Sequence, residues 1–167
     1  VLQRELARND EMLESVARLF RSSREVTRAE FRQFVLGGLE RHVDVQAVGW
    51  LPRVEAAERE AFKRRARADG IDDFRFTELG PDGELVTAGD RAVHFPVFYH
   101  QPRAANEGML GFDGYAEPER ARTMDRARDS GQSRGTPPVE LVQGSGNGAG
   151  FIVFIPVYRG GGVPATE

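Results

Sequence analysis

The stretch whose reading decides the fold opens with His94-Phe-Pro-Val-Phe-Tyr-His-Gln101, an extended run with apolar or aromatic side chains on both of its faces. Such a strand belongs in the interior of a sheet, covered above and below. Gly111-Phe-Asp-Gly114 follows, a carboxylate bracketed by glycines. Glu117-Pro-Glu119 then places proline and acids in a first helical turn, and Gly131 supplies the stop, which predicts a helix to about Asp129. Strands over 139–143 and 151–158 flank the glycine-rich run 144–150 and read as a closing hairpin.

Upstream, residues 1–21 carry Leu2, Leu6, Leu13, Val16 and Phe20 as one apolar seam along a helix. A seam of this kind either packs on its own domain or pairs with a second copy. Ser22-Ser23 interrupts it, and Thr27-Arg-Ala-Glu30 is a capping box that starts a second helix, running to about Leu39 with Phe31, Phe34, Val35 and Leu39 inward. Residues 43–51 read as a strand. Residues 53–68 read as a third helix with Val54, Ala57, Ala61 and Phe62 as its apolar face and Gly70 beyond its end. Asp73-Phe-Arg-Phe-Thr-Glu-Leu79 alternates as a half-buried strand, and Pro81-Asp-Gly83 turns the chain into Leu85-Val86. The order of elements makes this an α+β chain with mostly hairpin-linked strands, and helices on one face of such a sheet leave the other face free to line a cavity.

Composition narrows the function. The 167 residues suffice for a core without staples, at 40% hydrophobic and 29% charged. The net charge of -3, with cations dispersed among acids, forms no stripe for phosphates and points away from nucleic acid. The cluster Lys63-Arg-Arg-Ala-Arg67 is balanced by Glu55, Glu58 and Glu60 and reads as a solvated helix face. Without cysteine there is no disulfide, thiolate site or thiol nucleophile. No run approaches the length of a membrane span. Both ends read as cut from a longer chain.

Two apparent motifs fail on context. Gly131-Gln-Ser-Arg-Gly135 spells a nucleophile elbow, but a helix precedes it and Pro137-Pro138 forbids one after it; none of the three histidines has an obvious acid to orient it. Gly144-Ser-Gly-Asn-Gly-Ala149 resembles a dinucleotide fingerprint but runs into a strand where a helix is needed. His94 and His100 are six residues apart, with no carboxylate at a spacing that completes a metal site. No catalytic residue, metal or cofactor is expected.

Asp113 is the acid to weigh. Glycines on both sides of the Phe112-Asp113 pair let backbone approach closely, and aromatic surface adjoins the charge, so a flat ring with an exocyclic N–H finds an acceptor there. The other reading of Asp113-Gly114 is a plain turn or a helix cap.

Several motifs in order resemble the CHASE domain: Trp50-Leu-Pro-Arg-Val-Glu-Ala-Ala-Glu-Arg-Glu-Ala-Phe62, Phe95-Pro-Val-Phe-Tyr99, Gly111-Phe-Asp113 with Glu117-Pro-Glu-Arg120, Arg126-Ala-Arg-Asp-Ser-Gly131, Thr136-Pro137 and Phe154-Ile-Pro-Val-Tyr158. This is the extracytoplasmic sensor of membrane receptors, including plant cytokinin receptor kinases, bacterial histidine kinases and diguanylate cyclases. The resemblance implies a long stalk helix followed by two PAS-like antiparallel-sheet lobes, with residues 1–40 as stalk and second helix. Residues 41–167 form the sensor region: a ligand-binding lobe holds 95–143, and a membrane-proximal lobe is completed by the C-terminal strands.

By the same resemblance Asp113 takes the place of a pocket aspartate that pairs with an adenine ring, and Gly135, before Thr136, that of a backbone contact to the ring's other edge. Phe112, Tyr99 and Ile155 are the remaining expected ligand-binding positions. Gly114 and Tyr115 stand where the plant pattern has two methionines, which implies a pocket of different shape. The implied function is to sense a small, adenine-like molecule outside the membrane, as a homodimer joined through the N-terminal helix and tethered by flanking transmembrane helices, and to signal to a cytoplasmic kinase or cyclase in a two-component type of system. The alternative is a coupling domain that dimerises a receptor and senses a partner protein.

Overall fold

The computed structural model describes residues 2–42, 44–102, 107–140 and 149–160. Among the described residues, four α-helices, α1 (Leu2–Ser22), α2 (Arg28–Leu39), α3 (Arg59–Ala68) and α4 (Pro118–Ser130), are interspersed with short strands in an α+β arrangement. The strands are β1 (Val48–Trp50), β2 (Val54–Glu55), β3 (Thr77–Leu79), β4 (Leu85–Thr87), β5 (Val93–His94), β6 (Tyr99–Gln101), β7 (Arg134–Gly135), β8 (Val139–Glu140), β9 (Ala149–Gly150) and β10 (Val153–Phe154). The described residues within 1–48, 122–141 and 146–167 form one compact unit, and those within 49–121 belong to a second.

In the first unit, α2 begins where the capping box places it. The Thr27 hydroxyl accepts from the Glu30 amide at 3.2 Å, and the Glu30 carboxylate accepts from the Thr27 amide at 2.8 Å. Its inward face is Phe31, Val35 and Gly38; Phe34, expected inside, is 44% exposed. Three residues past Phe31 the helix has rotated about 300°, and Gly38, with no side chain, lets the Met12 chain of α1 come against the backbone instead. From residue 9 onward the buried residues of α1 are Met12, Val16 and Ala17, with Leu13 only half-buried; the side chains of the expected seam positions Leu2 and Leu6 lie outside the described residues. The Phe20 and Phe31 rings meet at 6.1 Å. β7 pairs antiparallel with β10, with Gly135 opposite Val153. β8 and β9 also pair, while most of the glycine-rich run lies outside the described residues.

The second unit is built on a ladder of backbone bonds wider than its two-stranded pieces. β3 pairs antiparallel with β4 through the turn at 80–84, where the Gly80 amide donates to the Glu84 carbonyl and Gly83 takes φ 77°. On its other edge the Thr77 amide donates to the Gly111 carbonyl and the Asp113 amide to the Thr77 carbonyl. Residues 111–114 in turn pair with 95–97: Val97 donates to Phe112, Gly111 to Val97, and Gly114 to Phe95. Phe98 then donates to Trp50. Residues 96–101 are all buried, but the single strand expected over 94–101 is split, β5 ending at His94 and β6 beginning at Tyr99, with Pro96 making only an isolated bridge to Asp113.

The expected third helix starts late. Val54 and Glu55 are taken into a ladder with β5, and the Ala56 amide donates to the Ala92 carbonyl, so α3 begins only at Arg59 after a short 3-10 turn. Its buried residues are Phe62 and Ala66, while Ala57 and Ala61 are exposed. Phe62 meets Phe74, Phe76 and Phe98 with ring centroids 4.9–5.9 Å apart, the aromatic core of this unit. Tilted and edge-on ring pairs each contribute about 0.5–1.5 kcal/mol beyond the area they bury.

Candidate functional site

Asp113 is reached through a backbone that only glycine permits. Gly111 has φ 89°, and a Cβ there would lie 1.8 Å from the Arg75 carbonyl oxygen. That close approach draws residues 111–113 against β3 and turns the Asp113 side chain inward, where it is fully buried.

The carboxylate is held by its own chain. Oδ1 accepts from the Phe95 amide at 2.9 Å and from the Tyr115 amide at 3.0 Å, the latter capping a short 3-10 turn over Gly114–Ala116. Oδ2 lies 2.7 Å from His94 Nδ1 and 3.5 Å from an Arg91 guanidinium nitrogen. Arg91 has a closer partner in Glu78, at 2.6 Å, and Glu78 also accepts from the Gly89 amide. His94 is fully buried, its ring 5.3 Å from Phe76, and its Nε2 has no hydrogen-bond partner among the described residues. A carboxylate in an aromatic core is stable only with such partners.

Sequence reasoning saw no acid orienting any histidine, and here the fold supplies one 19 residues away. The available signal was a histidine at the head of an otherwise apolar strand. Asp113 is thus buried and caps a 3-10 turn, in line with the turn-or-cap reading of the sequence.

The other expected positions divide between the units. Phe112 and Tyr99 are buried in the second: Phe112 packs on Val97 and Met109 with the Arg120 guanidinium 5.0 Å above its ring, and Tyr99 stacks on Phe98 at 4.8 Å. Burial lowers the pKa of Arg120, and Glu117 opposes the shift. Burial likewise lowers His100, against a hydrogen bond to the Pro102 backbone.

Gly135, Thr136 and Ile155 belong to the first unit. Thr136 is tied to Ile152 by two hydrogen bonds, its amide donating to the Ile152 carbonyl and its hydroxyl accepting from the Ile152 amide. Gly135 is exposed beside it. Ile155 lines an open groove of about 510 Å³ with Asp10, Glu14, Gly131, Gln132, Ser133 and Arg134. The Ser133 hydroxyl donates to Asp10 in a turn that follows α4, so the elbow spelled by residues 131–135 has no strand before it. Tyr158 donates to the Arg128 carbonyl, closing the C-terminal segment on α4.

The family model described as the CHASE domain matches residues 24–167. The chain belongs to the CHASE domain family. CHASE domains are extracytoplasmic sensor domains of membrane signalling receptors and are not themselves catalytic. The match begins within the link between α1 and α2 of this CHASE domain and takes in Asp113 and every other expected ligand position. No curated protein matches the sequence. Among the described residues no helix is long and apolar enough to cross a membrane.

Proposed function

We propose that this CHASE domain binds a small molecule with a flat, N–H-bearing ring on the outer side of a membrane, and that its occupied state is transmitted to a cytoplasmic kinase or cyclase. The observation that carries the reading is Asp113: a fully buried carboxylate whose fourth contact, to Arg91 at 3.5 Å, is long and whose cation has a nearer acid. A ligand N–H replacing that contact gains a charge-assisted hydrogen bond while Arg91 keeps Glu78. Phe112 and Tyr99 belong to the same unit; Gly135, Thr136 and Ile155, of the first unit, remain proposed ligand positions. Signalling requires only that the ligand prefer one of two receptor arrangements. In this proposal α1 is the stalk that joins two copies and the strands form PAS-like lobes.

The test is native mass spectrometry of the purified protein, followed by calorimetry with adenine as probe. A retained adduct in the wild type that is lost in Asp113→Asn, with the folded far-UV spectrum unchanged, supports the reading; no adduct and no heat with adenine reject it.

One observation favours a second reading. Three close hydrogen bonds satisfy Asp113 without any ligand, which suits a coupling domain that dimerises a receptor and senses a partner protein. That reading predicts an Asp113→Asn variant impaired in folding, and a wild type carrying no small molecule.

A further inference from the structure

Along residues 73–77 burial alternates. Phe74 and Phe76 are buried in the aromatic core, while Asp73, Arg75 and Thr77, in the segment that leads into β3, are not and line a groove of about 280 Å³. Leu85, Val86 and Thr87 of β4, with Gly108 and Leu110, complete its lining. The groove is a consequence of the register: Thr77 stands opposite Thr87, and Leu85, on the same face, is 42% exposed. Residues 108–112 are drawn against β3 by the glycine at 111, which sets the groove's other side.

Its chemistry is specific. Leu85, Val86 and Leu110 offer aliphatic surface. Asp73 and Arg75 carry opposite charges two positions apart along the chain, and both line the groove. Neither makes an ion pair among the described residues, with each other or with anything else. The Thr77 hydroxyl is buried with no hydrogen-bond partner among the described residues, a state that costs free energy until something fills it. The volume is just below the roughly 300–1,000 Å³ of sites for drug-sized ligands, so the occupant is smaller.

We propose that this groove is a second ligand site, separate from Asp113, for a small zwitterion of the α-amino acid class with an aliphatic side chain. The ligand carboxylate pairs with Arg75, its ammonium with Asp73, and its side chain lies on Leu85 and Leu110. Both charges of such a molecule sit on one carbon, within the joint reach of a long arginine chain and an aspartate two residues away. An apolar ligand alone would leave Arg75, Asp73 and the Thr77 hydroxyl without use.

The experiment is a titration of the ¹⁵N-labelled protein with L-leucine at millimolar concentration, compared with 4-methylpentanoate, which lacks the ammonium, and leucinamide, which lacks the carboxylate. L-leucine is expected to move the amide resonances of residues 73–77 and 85–87. Each analogue, and each of Arg75→Ala and Asp73→Ala, is expected to lose roughly tenfold or more in affinity, the value of one charge-assisted contact. Both positions are exposed, so the variants keep their fold, which a thermal melt checks. Silence at those amides, or equal binding of leucine and both analogues, overturns the proposal. Because the site is read at its own amides, the result is independent of whether Asp113 takes a ligand.

Discussion

One five-residue stretch, 73–77, serves two regions that differ in nearly every physical respect. On one side, Phe74 and Phe76 sit with Phe62 and Phe98, and the same unit buries His94 and Asp113 completely. On the other, Asp73, Arg75 and Thr77 border a hollow with half-exposed Leu85 and Val86. Alternating burial along the stretch that leads into β3 produces both from the same residues. The lesson is that charge means different things on the two sides: in the core every carboxylate contact is chosen by the fold, whereas on the groove side the charges are left uncommitted.

The hardest blow to this contrast is Gly111→Ala. The added Cβ would have to share space with the Arg75 carbonyl at φ 89°, and the two sides of this stretch would lose their common support. We expect a loss above about 4 kcal/mol, read as failure to fold or a collapsed urea midpoint. Asp113→Ala comes next. It strands two backbone amides and a fully buried histidine, and a loss of about 3–5 kcal/mol is expected; a loss below one kcal/mol would show that the buried network is not what holds the region. Phe76→Ala should cost a similar amount, about 3–5 kcal/mol, by leaving a cavity under α3.

A smaller effect is expected from acid. Burial holds the folded His100 below its ordinary value of 6.5, so the unfolded chain takes up that proton first as the pH falls. The contribution of His100 is therefore fully present above about pH 6.5 and declines below it, down to the folded pKa. Urea midpoints across pH 7 to 5 should fall less steeply in His100→Gln than in the wild type. The smallest effect belongs to the groove: Arg75→Ala should change stability by less than about 0.5 kcal/mol, sharpening the contrast, since the same substitution is expected to lower leucine affinity roughly tenfold or more. A large destabilisation instead would mean that Arg75 is structural.

Local rules carried much of the fold. The capping box at Thr27 and Glu30, the end of α1 at Ser22, the glycine stop after α4 and the turn before Leu85 all depend on residues within four positions of each other. The buried run 96–101 was legible because it is apolar on both faces. The late start of α3 was not, because Val54 and Glu55 have acceptable helical neighbours and are diverted only by β5, some forty positions away in sequence. β7 escaped notice for the same reason: two residues, Arg134 and Gly135, form a strand only because Val153 and Phe154 come alongside.

For the candidate site, the sequence by itself determined that Asp113 stands between close-approach glycines, beside aromatic residues and ahead of a helix, and that the chain is a CHASE domain. What surrounds the carboxylate was decided by tertiary structure alone. Whether Asp113 meets water, a ligand or His94 depends on the register between residues 95–97 and 111–114 and on β3 closing the other edge. A shift of one residue would carry every side chain to the other face. Hydrogen bonds across a sheet are set by that register, and no spacing along the chain encodes it.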